Sequence, residues 1–299
     1  MELAVIIISW NTRDLLRNCL RSLLDDIARA QIGAQVIVVD SASADGSPDM
    51  VHVEFPDVHL IACAENIGFV KGNNLALRHV LQDDRRHASR TDDGHVLRPT
   101  PHALRLSAPR SLWLLNPDTV VQAGAVKTLV DFMAAHPRCG LCGPQLQNPD
   151  GTLQHGAFAL PGLIQLIIDV IPRLQARLRN TRLDGRYAPA QYASGQPFII
   201  GTPLGAAMLA RTEAVQQIGL LDEGFEMYSE EIDWARRMAD AGWQIWCEPR
   251  AVVTHYGGAS SGQAGARAER LKWASRRRYY QKHYGALRRA IAGRLVPRE

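Results

Sequence analysis

In the stretch SLWLLNPDTVV, Ser111 to Val121, an apolar run stops at Asn116-Pro117-Asp118 and then resumes. Proline cannot donate to a sheet ladder, so the run ends there. The carboxylate that follows belongs either to an Asn-Pro-Asp turn or to a cation site. A second acid, Asp40, closes the apolar run QVIVVD. An acid at a strand end can hydrogen-bond a ribose or a base edge, and an acid beside a diphosphate can hold a divalent cation. Oxygen donors of this kind suit Mg²⁺ or Mn²⁺. A third group lies in YSEEIDWARR, where Glu230, Glu231 and Asp233 fall in the first turn of a helix that Ser229 can cap. Acids there offset the macrodipole, and Asp233 reaches Arg236 or Arg237 at helical spacing. That accounts for some of the three carboxylates, not all.

The segments carrying these acids alternate in type. LAVIIIS, Leu3 to Ser9, is an apolar, β-branched run of the kind buried on both faces of a parallel sheet. Helical periodicity follows at Leu15 to Leu24, a strand at Gln35 to Asp40, a helix from Ser47-Pro48, and a strand at Val58 to Cys63. A helix over Asn73 to Leu81, a strand over Leu112 to Leu115 and a helix over Ala123 to Ala135 continue the pattern. Such alternation predicts an α/β fold, a doubly wound, mostly parallel central sheet. Ligands of such sheets bind beyond the C-terminal strand ends. Ser9-Trp10-Asn11, Asp40-Ser41, Asn66 and Asn116-Pro117-Asp118 all fall there. The second half reads as a smaller mixed region: short strands within Gln145 to Pro161 and Gln196 to Leu209, a helix from Glu230 to Ala241, and a strand at Gln244 to Glu248. Asp83 to Arg110 is charged, proline-containing and aperiodic, and reads as a surface insertion.

The 299 residues are 46% hydrophobic, enough for one large core, and the net charge of +4 is too mild to imply nucleic acid. Basic residues gather after Arg267, opposed only by Glu269 and Glu299. With Trp273, Tyr279, Tyr280 and Tyr284 among them, this helical tail, 262–299, suits an anionic membrane surface, an acidic partner or plain solvent. Cys139-Gly-Leu-Cys142 has no second pair and no histidine cluster, so it reads as two small apolar residues rather than a zinc site. Met1 to Ser9 leads straight into a strand, and Ala159 to Pro172 is too short to span a bilayer. The expectation is a cytoplasmic protein, in peripheral contact with the inner membrane face if the tail binds there.

No G-x-G-x-x-G follows the first strand and no GxxxxGK[ST] is present, which excludes the dinucleotide and P-loop readings. SWNTRD also lacks the Gly-rich basic loop that a nucleotidyltransferase would need. What stands instead resembles a known family. VIIISWNTRDLLRNCLRSL, VIVVDSASADGS, ENIGFVKGNNLAL and LLNPDTVV, in order, resemble the motifs of family 2 glycosyltransferases, which have the GT-A fold. NPDGTLQHGAFALP, GAAMLARTEAVQQIGLLDEGFEMYSEEIDWARRMADAGW and THYGGAS are similar to the bacterial rhamnosyltransferase-like branch. The resemblance covers Leu3 to about Ser261, a domain over 1–261 with the 83–110 insertion inside it and much of Ile164 to Ala193 outside it.

The resemblance implies inverting transfer of a sugar from a nucleotide-sugar to an acceptor hydroxyl, with a base and a divalent cation. It makes Asp118 and His255 the metal ligands; Asn116 stands where the family carries a further Asp. It gives Ser9, Asn11, Asp40, Asn66, Gly68, Lys71, Asn74 and Asn116 to the nucleotide-sugar. It makes Glu231 the first candidate base, in place of the family's Asp, with Glu230 next and Asp233 holding the loop or acceptor. Gly201 to Met208 would floor the sugar site, and Trp10, Trp243 and Trp246 are either stacking platforms or core. The donor it suggests is dTDP-L-rhamnose, with UDP-sugars as the alternative. The acceptor would be a glycan or lipid-linked glycan of a bacterial surface polysaccharide. A binding or scaffold protein that has lost activity is the competing class, supported by Asn116 and Glu231 replacing the family's Asp residues.

Overall fold

The computed structural model describes residues 1–82, 96–97, 108–178, 181–257 and 265–297. The chain runs β1 (Leu3–Ser9), α1 (Arg13–Ala30), β2 (Ala34–Asp40), α2 (Ser47–Glu54), β3 (His59–Ala62), α3 (Gly68–Gln82) and β4 (Val96–Leu97). It continues through β5 (Ser111–Leu115), β6 (Thr119–Val121), α4 (Ala125–Ala135), β7 (Cys139–Gln147), β8 (Leu153–Gln154), β9 (Ala157–Phe158), α5 (Leu163–Val170) and α6 (Pro172–Leu178). After a short 3₁₀ turn come α7 (Pro189–Ala193), β10 (Phe198–Ile199), β11 (Thr202–Pro203), β12 (Ala207–Arg211), α8 (Thr212–Ile218), α9 (Glu230–Asp240), β13 (Gln244–His255), α10 (Gly265–His283) and α11 (Ala286–Leu295).

The main sheet has the order β10-β13-β7-β12-β5-β1-β2-β3-β4. β3, β2, β1 and β5 are parallel neighbours, as are β7 and β13, while β12 runs against both β5 and β7. One reversed strand therefore joins two parallel blocks. β1 shows why the core is large. Leu3, Val5 and Ile7 enter the cluster on one face, with Leu16, Cys19, Leu20 and Leu23 of α1. Ala4, Ile6 and Ile8 enter the other, with Val70, Ala76 and Leu77 of α3. Alternate side chains point to opposite faces, so a strand covered on both sides must be apolar throughout, and every residue of β1 is buried. Each such aliphatic side chain contributes about 1.5–3 kcal/mol.

Gly201 shows what the small residues of 201–208 do. A Cβ there would stand 2.2 Å from the backbone nitrogen of Leu160. Only glycine lets this segment pass the chain beside β9, with which β11 pairs. The close approach is of chain to chain.

Two expectations change. The aromatic face of the tail does not look outward: Tyr279 and Tyr280 are fully buried in a third cluster with Leu166, Phe225, Ile232, Ala292 and Val296. The Tyr280 hydroxyl donates to the Gly162 carbonyl at 2.7 Å, and Tyr284 donates to the Pro161 carbonyl. Three of the basic residues find acids within the chain: Arg278 and Lys282 meet Asp222 at 2.9 and 2.6 Å, and Arg276 meets Asp169 at 3.3 Å. Trp243 and Trp246, the other platforms considered, sit at the N-terminal end of β13, against Gly140 and the Phe132–His136 stack respectively. That is the end away from a ligand site. Cys139 and Cys142 are free thiols buried within β7, as expected. The expected insertion lies outside the described residues except for β4 and 108–110, as do Gly258 to Ser260 of THYGGAS. No helix among the described residues is long and apolar enough to cross a membrane.

Candidate active site

The loops after β1 and β2 hold one another. Asn11 takes a left-handed φ of 52°, a region asparagine tolerates. Its side-chain oxygen accepts from the Ala44 amide at 2.8 Å, and its own amide donates to the Ser43 hydroxyl at 2.9 Å. The Ser9 and Thr12 hydroxyls pair at 3.1 Å. Asp40 is buried; one carboxylate oxygen accepts from the Ser43 amide at 2.8 Å, and the other has no partner. Burial raises its pKa, against the pull of Ser43. A buried polar atom left unpaired is costly, and this Asp40 oxygen is open to one further hydrogen bond.

The loop before α3 is organised by Asn66, whose side-chain oxygen accepts from the Gly68 amide at 2.9 Å, with Gly68 at φ +76°. Asn66 and Lys71 are exposed. Asn74 departs from its expected part. Its amide donates to the Leu221 carbonyl and to Glu223, both at 2.9 Å, and its oxygen accepts from the Leu221 amide at 3.0 Å. Buried and fully engaged, it clamps α3 to the segment before α9 and has nothing to offer a sugar.

The Asn116-Pro117-Asp118 turn connects β5 to β6. The Asn116 amide donates to the Ala206 carbonyl at 2.8 Å, and the Asn116 side-chain oxygen is buried without a partner. β6 pairs with the end of β13, Thr119 opposite His255, and this brings His255 Nε2 to 3.4 Å from Asp118 Oδ1. Gln154 fixes the imidazole. Its amide nitrogen donates to Asn148 Oδ1 and the His255 carbonyl, so its oxygen faces His255 Nδ1 at 2.8 Å and Nδ1 donates. Nε2 is then the lone-pair side, turned toward Asp118. A histidine oriented this way through its second nitrogen is the usual arrangement of a metal ligand. Carboxylate oxygen plus imidazole fits Mn²⁺ or Mg²⁺, provided a substrate diphosphate supplies further oxygens. Among the described residues no group of three His, Cys, Asp or Glu gathers to hold a metal alone.

The segment from Thr202 to Ala206 ties this turn to the acids of α9. Ala206 accepts from Asn116 on one side, and Gly205 on the other lies 3.9 Å, measured from where its Cβ would be, from the Glu231 side chain. Glu231 borders a cleft of ≈ 250 Å³ whose wall includes Phe158, Ile168, Asp169, Leu204 and Arg276. One Glu231 oxygen is buried without a partner, and burial raises its pKa while Arg276 pulls it down. Glu230 is buried more deeply; burial first, then the charge of Glu231, pushes it far above the carboxylate range. Asp233 is different. Burial alone would raise it, but His283 at 2.7 Å, Lys282 at 2.8 Å and Arg237 at 2.8 Å hold it at about 2. It anchors α9 to α10 and has no open oxygen for chemistry. Ser229 precedes α9 in left-handed conformation, φ 64°, without the side-chain cap expected of it.

Sequence reasoning missed three groups: Gln154, Arg276, and the Lys282–His283 pair. Gln154 lies within a quoted motif; the others sit in the tail, where nothing local marks them.

The fold matches solved structures. The fold is similar to mannosyltransferase PcManGT from Pyrobaculum calidifontis in complex with GDP-Man and Mn²⁺, with a TM-score of 0.59 and 16% identity over 98% of this chain and 68% of that one. It is also similar to S. aureus TarS 1-349 in complex with UDP-GlcNAc, with a TM-score of 0.58 and 14% identity over 99% of this chain and 70% of that one. These neighbours are GT-A glycosyltransferases, and the fold here is of that type. By sequence the chain is 26% identical to the N-acetylglucosaminyl-diphospho-decaprenol L-rhamnosyltransferase of Mycobacterium tuberculosis, over 76% of this chain and 68% of the relative. It is 22% identical to the low-salt glycan biosynthesis hexosyltransferase Agl10 of Haloferax volcanii, over 79% of this chain and 61% of the relative. Residues 2–275 match the family described as glycosyltransferase like family 2, and the chain belongs to that family of enzymes.

Proposed function

We propose that this glycosyltransferase moves L-rhamnose from dTDP-L-rhamnose to a hydroxyl of a lipid-linked glycan, with inversion, in the building of a bacterial surface polysaccharide. The observation that carries the transfer chemistry is the unpartnered Glu231 oxygen in a cleft whose wall continues, through Thr202 to Ala206, to the Asp118 turn. The donor sugar rests on the similarity to the mycobacterial rhamnosyltransferase, whose name also specifies a diphospho-decaprenol acceptor. Outward-facing Ile164 and Ile167 on α5, which borders the cleft, and Ile171 just after it suit an acceptor carried on a lipid at a membrane face.

Glu231 takes the proton of the acceptor hydroxyl as that oxygen attacks the anomeric carbon, and the bond to the nucleoside diphosphate breaks on the opposite side. One carboxylate suffices, because a single displacement leaves no covalent intermediate to hydrolyse. Burial keeps Glu231 a stronger base than an exposed carboxylate. Asp40 receives a donor group of the base or ribose, and the Ser9–Asn11 loop shapes the pocket. Asp118 and His255 would hold Mn²⁺ or Mg²⁺, which offsets charge on the departing diphosphate when bound; the Mn²⁺ in the mannosyltransferase complex supports this. Calorimetric titration with dTDP-, UDP- and GDP-sugars, in Mn²⁺, Mg²⁺ or EDTA, tests the reading. dTDP-rhamnose is expected to bind tightest, only with metal, and not to Asp118→Ala. Binding that ignores metal and Asp118 would remove the metal assignment, and preference for a UDP-sugar would replace the donor.

A further inference from the structure

The cleft beside Glu231 contains a cation that the transfer chemistry does not use. Arg276 reaches its wall from α10, and its side chain is mostly buried. One guanidinium nitrogen, Nη2, meets Asp169 at 3.3 Å; the other, Nη1, is buried with no partner. The second arginine of the cleft, Arg186, is engaged with Asp184. Arg276 thus presents a buried, unspent N–H. A desolvated charged donor left without an acceptor is expensive. Asp169 is a weak competitor, because its contact with Nη2 is long, at 3.3 Å, and burial raises its pKa.

We propose that Arg276 binds the phosphate of a phosphate-linked acceptor sugar while Glu231 faces the hydroxyl that reacts. This rests on the reading of Glu231 as base and deepens it: the acceptor is a sugar phosphodiester or diphosphodiester rather than a neutral glycan. Both groups line one cleft, and Glu231 feels the Arg276 charge. A sugar ring placed between them puts its reacting hydroxyl at one and its phosphate at the other. Guanidinium pairs with phosphate through two parallel N–H bonds, which a lysine ammonium cannot reproduce. The apolar wall, Phe158, Ile168 and Ile232, suits the hydrocarbon that such a phosphate carries.

The test uses the full chain saturated with dTDP and Mn²⁺, so that the donor diphosphate site is filled. Its probes are N-acetylglucosamine joined to farnesol through a diphosphate, and the same sugar joined to farnesol directly. Wild type is expected to bind the diphosphate probe at least tenfold tighter. Arg276→Gln should erase that preference, Arg276→Lys should keep part of it, and neither should change dTDP affinity. Equal binding of the two probes by wild type, or a preference that survives Arg276→Gln, would overturn the proposal. Glu231→Gln separates the two readings. It should lower transfer by about 10³-fold and leave the probe preference intact; a variant that transfers at the wild-type rate refutes the base assignment and leaves the phosphate result standing.

Discussion

The donor side and the acceptor side of this site are built differently. After β1 and β2 the loops bond mainly to one another: Asn11 with Ser43 and Ala44, Ser9 with Thr12, Asp40 with Ser43. Buried oxygens of Asp40 and Ser41 in these loops, and of Asn116 after β5, are left open. Across the Thr202–Ala206 segment, Glu230, Glu231 and Arg276 all carry buried polar atoms without partners. On the proposed donor side the open atoms sit on loops that hold one another. On the proposed acceptor side they belong to two carboxyl groups and a guanidinium, which suits a place for proton transfer. The difference teaches that stability and chemistry are kept apart, even on one helix turn. Asp233, two residues from Glu231, is engaged by Arg237, Lys282 and His283 and fixes α9, while Glu231 keeps an open oxygen.

Breaking the acceptor side should have the largest effect. Glu231→Gln is expected to lower the transfer rate by about 10³-fold, within the range for a positioned general base, with donor affinity unchanged. Because burial raises Glu231, the acid limb of the rate profile should lie above the ordinary glutamate value of about 4.3. Steady-state rates across pH check both.

Breaking the donor side should act on binding instead. Asp118→Asn or His255→Gln should weaken metal-dependent donor binding by about 10²-fold, and Gln154→Leu, which frees the imidazole, by about tenfold. Calorimetry in Mn²⁺ against EDTA reads this. Equal weakening in EDTA would contradict the metal assignment.

The anchor comes next. Asp233→Asn should destabilise the fold by about 2 kcal/mol at pH 7, from a native pKa of about 2 against about 3.9 unfolded. A depressed carboxylate pKa stabilises above the unfolded value and loses that contribution as pH falls through the native one. The gap between the urea midpoints of wild type and variant should therefore close toward pH 2.

Glu230→Gln should have the smallest effect, with the opposite sign. A raised native pKa means the folded state holds the proton more tightly, so wild type loses stability as pH rises above about 4.3 toward the raised value. The variant should be the more stable at pH 8, by about 1 kcal/mol after allowing for relaxation around the buried charge, and the two should converge on acidification.

The same contrast separates what was legible in the sequence from what was not. Donor-side residues stand at strand ends, and strands buried on both faces announce themselves as LAVIIIS and QVIVVD. The fold class and the positions of Asp40 and Asp118 could be read for that reason. Asn74 misled, because an asparagine in a glycine-containing motif looks the same whether it clamps the chain or a ligand. On the acceptor side the three acids were visible, but their division of labour was not. It depends on Lys282, His283 and Arg276, which tertiary packing brings in from some fifty residues downstream. The tail read as a surface element because composition does not say which face turns inward; Tyr279 and Tyr280 go into the core, and Arg278 and Lys282 go to Asp222.

The most direct test of a single base-assisted displacement is the anomeric configuration of the sugar after transfer, read from the one-bond C1–H1 coupling of the purified product. Configuration opposite to that of the donor is predicted, because Glu231 activates the incoming hydroxyl and the diphosphate leaves from the other face. Retained configuration would contradict the account, since it requires a second step that a lone base in this cleft does not provide.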